Sequence, residues 1–433
     1  MENIVMQGTV WASLKCTAQQ DKLGKKAYED KMPIYTYKDE VEIPPIGYVD
    51  DVLTVAKCGN SSVINNSIAN AFTESKKLKY GVDKCKQMHV GKNNSICPKL
   101  KVHEQDMKKS ESETYLGDII TNTANNKKNI QARRDKGFGL VSEILSLMSE
   151  IPLGRYKSHV ALILRQAMLI NGMLFNSEAW SDVKDADIKQ LEDVDEFLLR
   201  SIFKAHSKTS LEFLHLETGT VPIKFIVASR RLNYLHNILI KPETELIHRV
   251  YQAQKKNESP GDWVNLVRED AKLLQIDLDE NWIKSMSKNR FKKLVKRKMT
   301  QAALSHLNLK KKSKVADILY TKLSPQPYIV SGELGDEHKQ MLFALRSKML
   351  RVKYNFSGLY KNDGQCSLGC KSVENQMHLI ECKYLIEKLD DASILAEIEY
   401  SDIFGSVNSQ KLIAEAYVEL FQIREKLINE NED

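Results

Sequence analysis

Tyr48-Val49-Asp50-Asp51 stands between two apolar, strand-like runs, Val41 to Ile43 and Val52 to Ala56. Pro44-Pro45 and Gly47 supply the punctuation of a turn. In a regular strand two neighbouring carboxylates point to opposite faces, but at a hairpin tip both can reach one region. Such a pair can serve Mg²⁺, a hard ion that takes a few carboxylates together with substrate phosphates. Nucleotidyl transfer uses two of these ions, one at the attacking oxygen and one at the leaving pyrophosphate. A solvated Asp-Asp turn is the plain alternative, and the neighbouring segments decide between them.

Working outward, Ile34 to Tyr37 reads as a strand ahead of the hairpin, and Ser61 to Leu78 as a helix with a serine start signal. Tyr80 to Val90 and Tyr115 to Thr121 read as further strands. From Asn129 the period becomes helical. Val141, Ile144, Leu145 and Met148 share a face, and Ile188, Leu191, Asp195, Leu198 and Ile202 form a second stripe with one polar interruption. Val227, Leu232, Leu235 and Ile238 form a third, and all three are expected to be core. Val160 to Phe175 is too short and polar for a bilayer and reads as a buried helix. Pro325 and Pro327 mark Leu323 to Tyr328 as a linker, with a helix over Glu337 to Val352 and an acidic helical tail beyond. The fold class is α+β.

The four motif-bearing segments lie in a telling order. Gln7-Gly8-Thr9-Val10-Trp11 precedes the acidic pair; Val82-Asp83-Lys84-Cys85-Lys86, then Tyr115-Leu116-Gly117, follow it. Together they resemble the palm of reverse transcriptases, in which a Tyr/Phe-x-Asp-Asp box is flanked by a Gln-Gly box, a lysine box and a primer-grip hairpin. Asn176-Ser177-Glu178-Ala179-Trp180 and Leu232-Asn233-Tyr234-Leu235-His236 are similar to the helical thumb of LINE-like elements, those without long terminal repeats. The resemblance implies an RNA-directed DNA polymerase working on an RNA template, a DNA primer and deoxynucleotides. By it, Asp50 and Asp51 are the palm carboxylates for Mg²⁺, Lys86 an acid or charge stabiliser, Gln7, Gly8 and Tyr48 template- or nucleotide-facing, and Tyr115, Leu116 and Gly117 the primer grip. Asp83 stands where the family has asparagine.

The family's further metal-binding aspartate lies ahead of the Gln-Gly box, and the chain opens just before Gln7. An incomplete palm, inactive alone, is therefore expected, and a non-catalytic RNA- or DNA-binding remnant is the rival. The expected segments are 1–123 partial palm, 124–245 helical thumb, 246–328 basic connector and 329–433 C-terminal region. Residues 1–123 are also expected to expose a strand edge and aggregate.

Seven cysteines are present. Cys16, Cys58, Cys85 and Cys97 are scattered, as in a reducing compartment. Cys366, Cys370, His378 and Cys382 have the spacing of a tetrahedral Zn²⁺ knuckle, with Gly369 allowing the turn and His378 and Cys382 expected on one helix face. Four ligands leave no open position, so the site reads as structural. The set also resembles the Cys-Cys-His-Cys motif of the same retroelements. No Pro-Asp/Asp/Lys pattern follows it, and no endonuclease is assigned.

Lys and Arg number 64 against 57 Asp and Glu, a net charge of +7 that permits a polyanionic partner without demanding one. The basic run is densest at Lys292, Lys293, Lys296, Arg297 and Lys298, with Phe291 or Trp282 as candidate base-stacking rings. A solvated helix face or a nuclear localisation signal are the other readings. His206, His215, His236 and His248 have no metal spacing and read as structural. With no signal-like N-terminus, an intracellular protein of nucleus or cytoplasm, without a membrane, is expected.

Overall fold

A computed structural model of the chain describes residues 33, 35–48, 51–75, 81–90, 98–311, 315, 317–360, 363–389 and 391–432. The chain is mostly helical with small sheets, and every sheet among the described residues has two strands. Strands β1 (Tyr35–Tyr37) and β2 (Val41–Ile43) form one antiparallel hairpin, β3 (Ile46–Tyr48) and β4 (Asp51–Leu53) the next. Helix α1 (Gly59–Ser75) follows. It buries Phe72 but leaves Val63 and Ile64 exposed, so its expected apolar face is only partly covered.

The strand expected over Tyr80 to Val90 is mostly something else. Val82–Lys84 is a 3₁₀ turn, and only Lys86–Gln87 pairs, in parallel with Lys108–Lys109. The expected strand Tyr115 to Thr121 is the turn and second arm of a hairpin, β5 (Ser112–Tyr115) with β6 (Asp118–Thr121). The cause lies in the backbone: Leu116 and Gly117 both have positive φ, +48° and +85°, as a tight two-residue hairpin turn demands.

The longer helices then run as α2 (Lys127–Glu150), α3 (Lys157–Leu164), α4 (Asp185–Phe203), α5 (Leu211–Thr218), α6 (Ile223–Leu239), α7 (Leu246–Lys256), α8 (Trp263–Leu274), α9 (Lys288–Lys310), α10 (Asp336–Arg346), α11 (Lys353–Tyr360) and α12 (Val407–Glu432). Local signals set their ends. The Asp187 carboxylate accepts from the Lys184 backbone N–H at 2.9 Å to open α4. Ser210 and Ser287 side chains accept from backbone N–H groups to open α5 and α9, and Gly219 at φ +64° closes α5. Beyond α3 the chain widens into a π-helix, Arg165–Ile170.

Two cores hold these helices. The first joins residues between Ile130 and Val227 to residues between Leu307 and Leu420; the second lies between Phe225 and Ala303, where α8 and α9 pack on α6. The three apolar stripes lie in these cores. The Asp195 interruption in α4 is buried with them and paired to Arg165.

The segment Leu323 to Tyr328 is no free linker. Pro325 bridges to Thr218, the Gln326 N–H donates to the Glu217 carbonyl at 3.0 Å, and Tyr328 is fully buried. Beneath it the Glu217 carboxylate accepts from the Tyr320 hydroxyl at 2.5 Å and from the Arg346 guanidinium. That network ties α5 to α10 across the segment. Among the described residues no helix is long and apolar enough to cross a membrane.

Candidate functional site

The C-terminal knuckle is built on a tight reversal. Gly369 has φ +83° and donates its N–H to the Cys366 carbonyl at 3.0 Å, and the Cys366 N–H donates to the Ser372 carbonyl at 2.8 Å. Val373 bridges to Gln365 and closes the loop. His378 lies on a 3₁₀ turn, Met377–Ile380, while Cys382 caps the next short helix, Lys383–Ile386. The two ligands therefore do not share one α-helix as expected, because the chain tightens and breaks between them. Their ligand atoms converge all the same.

Sγ of Cys370 lies 3.2 Å from Nε2 of His378, and Sγ of Cys366 lies 3.9 Å from Sγ of Cys382. All four ligand atoms fall within 4.8 Å of one another. A tetrahedral zinc with Zn–S of about 2.3 Å needs sulfur–sulfur edges of about 3.8 Å, and a disulfide needs about 2.05 Å. The geometry thus fits a metal and excludes a bond between Cys366 and Cys382.

Electrostatics agree. Burial, with Cys366 close by, pushes the Cys382 thiol up to about 12, and burial also raises Cys366. Burial opposes ionisation of Cys370 too, but hydrogen bonding, first from the Ser372 backbone, holds it below the usual thiol range. A divalent cation removes the mutual repulsion that keeps such a set protonated. The Cys₃His set can hold a structural zinc.

The knuckle is braced from behind. Buried Glu374 accepts from the Arg424 Nε on α12 at 2.6 Å and from the Ser367 hydroxyl at 2.9 Å. The Tyr417 hydroxyl, also on α12, donates to the Gln376 carbonyl at 2.8 Å.

At the other end of the chain, Tyr48 pairs with Asp51 across β3 and β4, so a two-residue connection joins the strands. Asp51 is exposed. Gln7, Gly8, Val49 and Asp50 lie outside the described residues. The Tyr115 hydroxyl donates to the Ile46 carbonyl at 3.4 Å, which brings the β5–β6 hairpin against the acidic one. Burial, then the Asp51 carboxylate, raises the Tyr115 phenol.

The Leu116-Gly117 turn is docked on the helical body. Arg133 donates to the Gly117 carbonyl at 2.6 Å, and Asn176 donates to Asp118 at 2.9 Å. Lys86 stands in a different sheet from Asp51. Among the described residues the knuckle is the only place where three or more metal-ligating side chains converge.

The basic run occupies α9 and is divided by the helix. Lys292 and Lys296 line a groove between α3, α6 and α9, whereas Lys293, Arg297 and Lys298 do not. Phe291 is 1% exposed and stacks on His236 with ring centroids 4.9 Å apart, so it belongs to the core and is not a base-stacking ring. Trp282 is exposed.

Of the four histidines expected to be structural, three are buried and hydrogen-bonded. His215 bonds Thr220 at 2.8 Å, His236 bonds the Met286 carbonyl at 2.9 Å, and His248 bonds the Lys241 carbonyl at 3.2 Å. Sequence reasoning missed Lys288, Arg230, Gln166 and Asn237 on the groove. For Lys288 a signal existed, since Lys288, Lys292 and Lys296 repeat at four residues. Set against models of protein families and against curated proteins, the chain matches none.

Proposed function

We propose that this chain is part of a reverse transcriptase of the LINE-like class, and that its folded body binds RNA or DNA. One observation carries the reading. The Tyr115 hydroxyl reaches the Ile46 carbonyl at 3.4 Å, so the turn read as a primer grip lies against the hairpin that bears the acidic pair. Two motifs separated by more than sixty residues thus touch, which supports the reading. Support also comes from Asn176, which contacts the carbonyl of Leu116 at 3.4 Å and joins the thumb-like segment to that turn.

Nucleic-acid binding is supported by Lys288, Lys292 and Lys296, which line a groove between α3, α6 and α9. The Cys366, Cys370, His378 and Cys382 set acts as a brace for the C-terminal end.

The test is primer extension on an RNA template with Mg²⁺ and deoxynucleotides, beside an Asp50→Ala/Asp51→Ala variant, with binding to the same primer–template measured in parallel. Binding without extension is the expected result. Extension that the variant abolishes would show that a working palm assembles, and absence of binding would defeat the reading altogether.

A further inference from the structure

The groove between α3 with its π-helical continuation, α6 and α9 has a volume of about 1170 Å³. Along one wall α9 presents Lys288, Lys292 and Lys296, all exposed and all on one helix face. At 1.5 Å per residue the row is about 12 Å long, with a cation about every 6 Å. None of the three is in an ion pair with a described residue. A single small anion reaches one such ammonium, whereas a polymer with regularly spaced phosphates reaches all three.

The opposite wall is of a different kind. Arg230, whose guanidinium donates to the Leu174 carbonyl and to the Asn171 amide oxygen at 3.1 Å, lines the groove too. Gln166, Asn233 and Asn237 add amides, and Ile163, 54% exposed, adds apolar surface. Glu178 is the one carboxylate on the lining, and the charge of Arg165 is neutralised by Asp195.

The π-helix itself supplies Arg165, Gln166 and Ala167 to this wall. A widened turn of this sort costs helix hydrogen-bond geometry and is found disproportionately at functional sites. A row of cations faced by amides and apolar groups suits a strand whose bases are unstacked and open to contact. A duplex keeps its base edges in its own grooves and would leave the amide wall unused.

The geometry points to this groove as a track for single-stranded nucleic acid, with Lys288, Lys292 and Lys296 on the phosphates and Gln166, Asn233 and Asn237 on the bases. The inference rests on the nucleic-acid-binding reading above and names where that binding occurs.

The experiment uses the zinc-loaded full chain, fluorescence anisotropy, and short labelled single strands of RNA and of DNA with matched duplexes as competitors. Lys288→Gln/Lys292→Gln/Lys296→Gln is compared with Lys293→Gln/Arg297→Gln/Lys298→Gln, which removes the same charge from the same helix. Thermal melts establish that both variants are folded. The first variant is expected to bind at least about tenfold more weakly, and its slope of log affinity against log salt should shrink by about 2. The second is expected to bind like the parent chain.

Equal losses in the two variants, or a loss only in the second, overturn the groove while leaving nucleic-acid binding intact. Duplex competing as well as single strand also overturns it. A parent chain that binds no strand at all removes the earlier reading as well.

Discussion

Arg165 donates from Nε and Nη2 to the two carboxylate oxygens of Asp195 at 2.5 and 2.6 Å, and both side chains are almost wholly buried. A third bond runs from Arg165 to the Val221 carbonyl at 3.2 Å. The pair therefore fixes the start of the π-helix to α4 and to the turn ahead of α6. Removing one partner leaves a bare charge in the core. Asp195→Ala is expected to destabilise the chain by about 3–5 kcal/mol, whereas an apolar replacement of both residues should cost far less. Chemical denaturation of the two variants checks this, and equal losses would mean the pair is not the cause.

His215 makes stability pH-dependent. It is fully buried, and burial depresses it from 6.5 to about 4. The folded chain therefore holds fewer protons than the unfolded chain between those values. Its contribution is present above about pH 6.5 and is lost as pH falls towards 4. The loss is about 3 kcal/mol for this one group. His215→Gln should flatten that part of the stability–pH curve, and an unchanged curve would assign the acid sensitivity elsewhere.

Metal content tests the knuckle directly. The purified chain is expected to carry one zinc, and Cys382→Ser or a strong chelator should remove it and lower the melting temperature. Structural zinc in small peptides contributes about 10–16 kcal/mol. Because Arg424 clamps Glu374 behind the ligands, loss of the ion should also loosen α12, seen as faster amide exchange there. A metal-free chain with an unaltered melt would remove the zinc assignment.

Gly219→Ala probes the closure of α5. The residue sits at φ +64°, and a Cβ there would lie 2.1 Å from the carbonyl carbon of Ser324. The left-handed backbone alone costs about 1–2 kcal/mol, and displacing the Ser324-Pro325 backbone adds to it. A thermal melt within error of the parent would show that this contact relaxes without cost.

The sequence made the helical body readable because burial imposes a period: Val141, Ile144 and Met148, or Leu232, Leu235 and Ile238, declare a face without reference to anything distant. The knuckle was readable for a similar reason, since ligand spacing is local. Local pattern hides the β5–β6 turn inside a strand-like run, because Leu116 at φ +48° is an uncommon choice for that conformation. In the Leu323 to Tyr328 segment the prolines are a local signal for a linker, while Glu217 and Arg346, which fasten it, are far apart in sequence. The π-helix has no distinctive composition. Its partner Asp195 showed only as a polar interruption in another helix, and nothing local links it to Arg165.

The first core is closed by segments from both sides of the second. Val227 and its predecessors await Leu342, Phe343, Tyr417 and Leu420 before they are covered. During synthesis at about 5–20 residues per second, that surface stays open for about 10–40 s after α6 has emerged. The intervening α7 to α9 can complete their own packing on α6 in that interval. Newborn chains should thus depend on holding factors until α12 leaves the ribosome, and a stop codon just before Val407 should yield aggregates even though everything ahead of it is intact.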